Sequence, residues 1–85
     1  MNEYWQCEDA SSFCFRRGAE WFEVKRSDPT GNDWQVCEVT MDRGLPVSMH
    51  LAYYNEIDLP TMMNILPWTE QELESRIRPQ PSAAD

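Results

Sequence analysis

Residues 20–41 read EWFEVKRSDPTGNDWQVCEVTM, and this stretch decides the fold. Two alternating runs flank a dense turn signal. In residues 20–26, Phe22 and Val24 point one way and Trp21, Glu23 and Lys25 the other, because successive strand side chains lie on opposite faces. In residues 34–41, Cys37, Val39 and Met41 share a face, and Trp34, Val36 and Glu38 share the opposite one. Between the runs, Pro29 sets a turn dihedral, Gly31 and Asn32 tolerate positive φ, and Ser27, Asp28 and Asp33 bond locally. Two antiparallel strands joined by this turn are the expectation. Opposing Val24 to Cys37 and Phe22 to Val39 gives the pair one apolar face.

The pattern extends in both directions. Residues 3–8 and 12–17 are short and rich in aromatics, and Asp9-Ala10-Ser11 between them suits a hairpin loop. Phe13 and Phe15 fall on one face of the second run. Gly18 separates it from residues 20–26. Past residues 42–46, a Gly-Leu-Pro turn, residues 47–54 alternate as Val47, Met49, Leu51, Tyr53 against Ser48, His50, Ala52, Tyr54. Val47, Leu51 and Tyr54 also fit helical spacing, but the aromatic and β-branched content and the preceding turn favour a strand. Opposite residues 34–41, this strand would set Val39 near Met49 and Cys37 near Leu51, so one apolar face would run across the meander.

The last third is helical in pattern. Asp58-Leu59-Pro60 starts a short helix or 3₁₀ turn over residues 61–66, which Pro67 stops. Thr69-Glu70-Gln71-Glu72 is a capping box for a helix over residues 70–78, with acids at its N-terminal end and Arg76 and Arg78 at the other. Trp68 and Leu73 are spaced as a hydrophobic staple, with Ile77 one turn on. The fold class expected is α+β: a small antiparallel meander of about three to five strands, with one or two short C-terminal helices packed at one face or end. Residues 1–78 form a single domain in this reading, and residues 79–85 a disordered tail.

At 85 residues there is room for one domain, and 41% hydrophobic content is enough to build a core. Net charge is −8, with acids in excess in both halves of the sequence. That sign argues against direct binding of nucleic acid or of an anionic membrane, which needs clustered Lys and Arg. It suits a partner with a basic surface. No apolar run approaches a membrane span. The opening Met1-Asn2-Glu3-Tyr4 does not resemble a secretory signal, and the three cysteines are odd in number, so a reduced cytoplasmic setting is expected. A hairpin would bring Cys7 and Cys14 within bridging range, but that setting argues against a bridge.

Catalytic chemistry finds little support. His50 is the single histidine, no Cys-x-x-Cys occurs, and the cysteine spacing fits no zinc motif. Cys37 and His50 lie on adjacent strands of the expected meander but on opposite faces, so a nucleophile–base pair is not expected. The glycines do not cluster into a phosphate loop. The sequence therefore points to no catalytic residue, no metal site and no cofactor, and to a protein that is not an enzyme.

The compositional excess is aromatic. Alternation puts Trp21, Trp34 and Val36 on the face opposite Phe22, Val24, Cys37 and Val39, rimmed by Glu20, Glu23, Glu38 and Lys25. An aromatic centre with a charged rim is how protein interfaces are built, so Trp21, Trp34, Val36, Glu20, Glu23 and Glu38 are the candidate partner-binding residues. In size, charge and lack of motifs the chain resembles small phage-encoded inhibitors, including anti-CRISPR proteins and DNA mimics. This is a likeness of class, carried by no motif. It implies an inhibitor acting in the host cytoplasm, which places carboxylates where a protein or ribonucleoprotein expects phosphates. An accessory docking subunit, and an antitoxin or immunity protein, are the alternatives.

Overall fold

The computed structural model describes residues 2–28 and 30–78. The tail expected over residues 79–85 lies outside the described residues. The chain forms β1 (Asn2–Cys7), β2 (Ser12–Arg17), β3 (Glu20–Arg26), β4 (Trp34–Cys37), a short hairpin of β5 (Met41–Asp42) and β6 (Leu45–Pro46), α1 (Val47–Leu51), β7 (Tyr54–Ile57), α2 (Leu59–Ile65) and α3 (Glu70–Ile77). The main sheet is antiparallel in the order β4-β3-β2-β1-β7. It is a small α+β fold, with the first four strands a meander and two short helices near the C-terminus. No helix among the described residues is long and apolar enough to cross a membrane.

Turn chemistry places the strands. Gly18 takes φ 62° in the two-residue loop between β2 and β3, as such a loop requires of its first residue. Arg43 and Gly44 both have positive φ, at 52° and 83°, which is the type I′ signature in the β5–β6 hairpin. The helices start as their sequence dictates. Asp58 caps α2 by accepting from the Thr61 amide at 2.9 Å, and Pro60 sits in the first turn. Thr69 and Glu72 form the full capping box of α3.

Alternation sorts the sheet into two faces. One carries Tyr4, Phe13, Phe15, Phe22, Val24 and Trp34, and is covered by Met62 and Leu66 from α2 and its C-cap and by Leu73 from α3. Aromatic rings stack along it: Tyr4 on Phe15 at 5.5 Å, Phe15 on Phe22 at 5.3 Å, Phe13 on Trp34 at 5.1 Å. Each fully buried Phe contributes about 1.5–3 kcal/mol of transfer free energy, so these strands are held chiefly by this face.

Two expectations are corrected. The β3–β4 register pairs Val24 with Val36 and Glu23 with Cys37, not Val24 with Cys37. A one-residue shift turns a whole strand over. It places Trp34 and Val36 against the core, where an indole and an isopropyl bury more apolar surface than Cys37 and Val39 would. Trp34 is 5% exposed. The Arg26 guanidinium lies 4.5 Å over its ring.

The second correction concerns residues 47–54. They do not form a strand beside residues 34–41. Pro46, at φ −58°, begins α1, its C-cap Ala52 is extended, and strand pairing begins at Tyr54. The following β7 pairs with β1, Tyr54 opposite Cys7 and Ile57 opposite Tyr4. Ile57 then joins the core face, which a strand ending at residue 54 would have left short on that side. Residues 41–42 belong to the small hairpin and not to β4.

Candidate interaction face

The other face of the sheet carries Glu3, Trp5 and Cys7 from β1, Ser12, Cys14 and Arg16 from β2, Trp21, Glu23 and Lys25 from β3, Gln35 and Cys37 from β4, and Tyr54 and Glu56 from β7. It is mixed polar and aromatic, and α1 covers only its middle. Ser48 Oγ lies 3.5 Å from Cys14 Sγ, and Tyr54 OH lies 2.7 Å from Ser12 Oγ. The first contact sets Cys14 against α1, the second sets Ser12 against the Tyr54 phenol, and both Cys14 and Ser12 are buried. Burial pushes the Cys14 thiol up to about 11 and raises the Tyr54 phenol, so both stay protonated at neutral pH. The three cysteines are free.

On one side of α1 lies a groove of about 550 Å³ walled by Trp5, Met49, Leu51, Tyr53 and Tyr54. Leu51 is 81% exposed and Tyr53 80%. Trp5 and Trp21 stack at 5.3 Å beside it. Arg16 lies 5.6 Å over the Trp21 ring and pairs with Glu3. On the other side of α1 is a cleft of about 300 Å³, lined by Glu23, Glu38, Thr40, Val47, Ser48 and Leu51 together with Lys25. Glu23 is its buried member, at 5% exposed. One of its oxygens, Oε2, is buried and accepts no hydrogen bond among the described residues, although Lys25 Nζ lies 3.5 Å away.

The six residues expected to form one patch divide. Trp21, Glu23 and Glu38 come to the α1 side of the sheet, Trp21 half-buried and Glu38 exposed. Trp34 and Val36 pack into the core face instead. Glu20 is exposed toward α3, 2.7 Å from Arg78. Missed in the sequence were Trp5, Leu51 and Tyr53. Extending the alternation argument from residues 20–26 back to residues 3–8 would have put Trp5 and Trp21 on one face. The helical spacing of residues 47–54 held the signal for Leu51. Cys37 and His50 are not linked: the thiol faces Gln35 O at 3.7 Å, and His50 Nε2 lies 2.8 Å from Asp42 O.

The charges are arranged with equal consequence. All seven Lys and Arg side chains are engaged within the chain. Five sit in the ion pairs Arg16–Glu3, Arg17–Glu74, Lys25–Glu23, Arg43–Asp42 and Arg78–Glu20. The other two lie over indoles, Arg26 on Trp34 and Arg76 on Trp68. Arg26 also donates to Ala10 O at 2.8 Å and Gly31 O at 2.8 Å, which ties the β1–β2 loop to the β3–β4 loop. Glu8, Asp9, Asp28 and Asp33 are exposed on those two loops and form no ion pair among the described residues. Hydrogen bonds from Ser11 hold the Asp9 carboxyl down to about 2, and those from Thr30 lower Asp28, so both remain charged at any physiological pH. Among the described residues no group of three His, Cys, Asp or Glu is placed to hold a metal ion.

Comparison with protein families, curated proteins and solved structures gives no match to this chain.

Proposed function

We propose that this chain is a protein-binding inhibitor that docks its α1-side face on a protein or ribonucleoprotein with a basic surface. The observation that carries this reading is the asymmetry of charge. Each base has a carboxylate or an aromatic ring beside it within the chain, while Glu8, Asp9, Asp28, Asp33, Glu38 and Glu56 form no ion pair among the described residues. An approaching molecule meets an excess of negative groups, which steers a basic partner and repels nucleic acid. Carboxylates fixed on two adjoining loops stand in for phosphates in a nucleic-acid-binding groove. In this reading the chain acts in a host cytoplasm, as a small phage-encoded inhibitor of the anti-CRISPR kind would.

A second reading, an accessory docking subunit, is favoured by Leu51 and Tyr53. Exposed apolar side chains beside stacked indoles are the raw material of an interface core. The two readings separate by experiment. With the tagged chain as bait, an inhibitor of the first kind retains a basic protein at about 50 mM salt, releases it by about 300 mM, and loses it to added DNA or RNA. Lysine substitutions at Asp9, Asp28 and Asp33 abolish that retention. Retention that ignores salt and those substitutions, but falls on Leu51→Ser with Tyr53→Ser, sinks the mimic and leaves the docking subunit.

A further inference from the structure

We propose that the cleft between β3 and α1 is a socket for one arginine side chain of the partner, with Glu23 as its floor. The inference rests on the acidic docking reading above and names the anchor within it. Glu23 is nearly sealed from solvent, yet its Oε2 accepts no hydrogen bond among the described residues. The lysine facing it stands 3.5 Å off, with its own side chain 54% exposed. A buried carboxylate whose one cation among the described residues is a half-exposed ammonium is incompletely satisfied, and a guanidinium reaching past Lys25 completes it.

The rest of the cleft fits the same guest. Val47 and Leu51 offer apolar wall to the aliphatic stem of an arginine. Glu38, exposed and in no ion pair among the described residues, adds a second carboxylate at the cleft. Glu23, Glu38 and Lys25 together leave one uncompensated negative charge, which one monovalent cation balances. At about 300 Å³ the cleft is at the small end for ligand sites, a size for a side chain and not for a cofactor. A divalent metal is the poorer occupant, since it needs six or so oxygens and finds two carboxylates beside aliphatic walls. The wall is held in place by the Val47 amide donating to Thr40 O at 2.8 Å.

The test uses the whole chain, ¹⁵N-labelled, titrated with N-acetyl-arginine N-methylamide, the capped form of a residue within a protein. Saturable shifts are expected at the amides of Glu23, Glu38, Ser48 and Leu51, with Kd on the order of 1–10 mM. The neutral isostere, capped citrulline, binds at least about tenfold more weakly. Lys25→Ala tightens arginine binding about threefold by removing the competitor. Glu23→Gln abolishes the shifts, and Glu38→Gln, on an exposed side chain that leaves the fold intact, weakens them. The proposal is overturned by unsaturable shifts, by shifts spread equally over the loops of Asp9, Asp28 and Asp33, or by equal binding of citrulline. Retained binding in a folded Glu23→Gln chain overturns it too; where that variant does not fold, unchanged affinity in both Lys25→Ala and Glu38→Gln does so. A failed titration beside salt-sensitive partner capture removes the socket alone. A successful titration beside salt-indifferent capture removes the inhibitor reading and leaves the socket.

Discussion

Trp34 and Trp21 are both strand tryptophans, and what separates them is which layer they enter. Trp34 is enclosed between Phe13 and the Arg26 guanidinium, so Trp34→Ala is expected to cost about 3–5 kcal/mol in urea unfolding. Its indole N–H is buried without an acceptor among the described residues. Trp34→Phe therefore sheds an unsatisfied donor while keeping the ring, and should cost under about 1.5 kcal/mol. Trp21 is half-buried on Trp5, and Trp21→Ala should cost about 0.5–1.5 kcal/mol for the lost ring pair plus a part of its buried area. Equal costs at the two positions would contradict the β4 register. The capping carboxylates set the acid limb of stability. Hydrogen bonds lower Asp9, Asp28, Asp58 and Glu72 from ordinary values of 3.8 for Asp and 4.5 for Glu, Asp9 to about 2. A group whose folded value is depressed stabilises the fold above its unfolded value and ceases to as pH falls through the folded one. The urea midpoint should thus be flat from neutral pH down to about 5 and fall between about 4.5 and 2. Asp58→Asn, which keeps a capping oxygen without the charge, should make that fall shallower. An unchanged slope would mean that the Thr61 hydrogen bonds do not favour the ionised form.

At the scale of elements, legibility followed how many independent signals each segment carried. Residues 12–17 and 20–26 had alternation, aromatic content and an intervening glycine in agreement, and they became β2 and β3 with those bounds. Residues 69–72 had a capping box, and α3 begins there. Residues 34–41 carry alternation after a turn signal, which fixes the existence of a strand but not which face turns inward. Either half of the run held enough apolar residues to pass for the buried one, and the volume of Trp34 decided it. Residues 47–54 satisfied both periods at once, and the choice fell to a tertiary fact invisible in one segment: β1 had an unpaired edge that Tyr54–Ile57 could fill. The first ambiguity carries into the candidate face, where alternation alone joins Trp34 and Val36 to Trp21, Glu23 and Glu38, and the second hides Leu51 and Tyr53. The hairpin ahead of α1 can be tested directly. A Cβ on Gly44 would meet nothing within 4 Å, so Gly44→Ala carries only the backbone penalty of φ 83°. That is about 1–2 kcal/mol, read as faster native-state hydrogen exchange of residues 41–51, and Gly44→Asn should recover much of it because asparagine tolerates the left-handed region. Unchanged exchange in Gly44→Ala would show that the β5–β6 hairpin does not open together with α1.

For the molecule as a whole, the unequal covering of the two sheet faces implies unequal local stability. The core face is closed by two helices whose Met62 and Leu73 are fully buried. The other is crossed by α1, in which no residue is buried. That helix is tied down by the Val47 amide on Thr40 O, the Ser48–Cys14 contact and His50 at Asp42 O. Three such links, each worth about 0.5–1.5 kcal/mol net, hold far less than the sheet does. Residues 41–51 should therefore open as a unit below the global unfolding free energy, and native-state hydrogen exchange should show their amides protected much less than those of β2 and β3. The same opening exposes Cys14, so its modification by a thiol reagent should track the exchange of residues 41–51, while half-buried Cys37 reacts ahead of it. Such a flap, lying beside Glu23 and Trp5, would let one face adapt to a partner while the core face keeps its register. Docking on that face would then slow exchange across residues 41–51 before it affects any strand. Exchange of α1 amides at the rate of β2 in the free chain would mean the flap opens only when the sheet does, and the face would have to bind as a rigid surface.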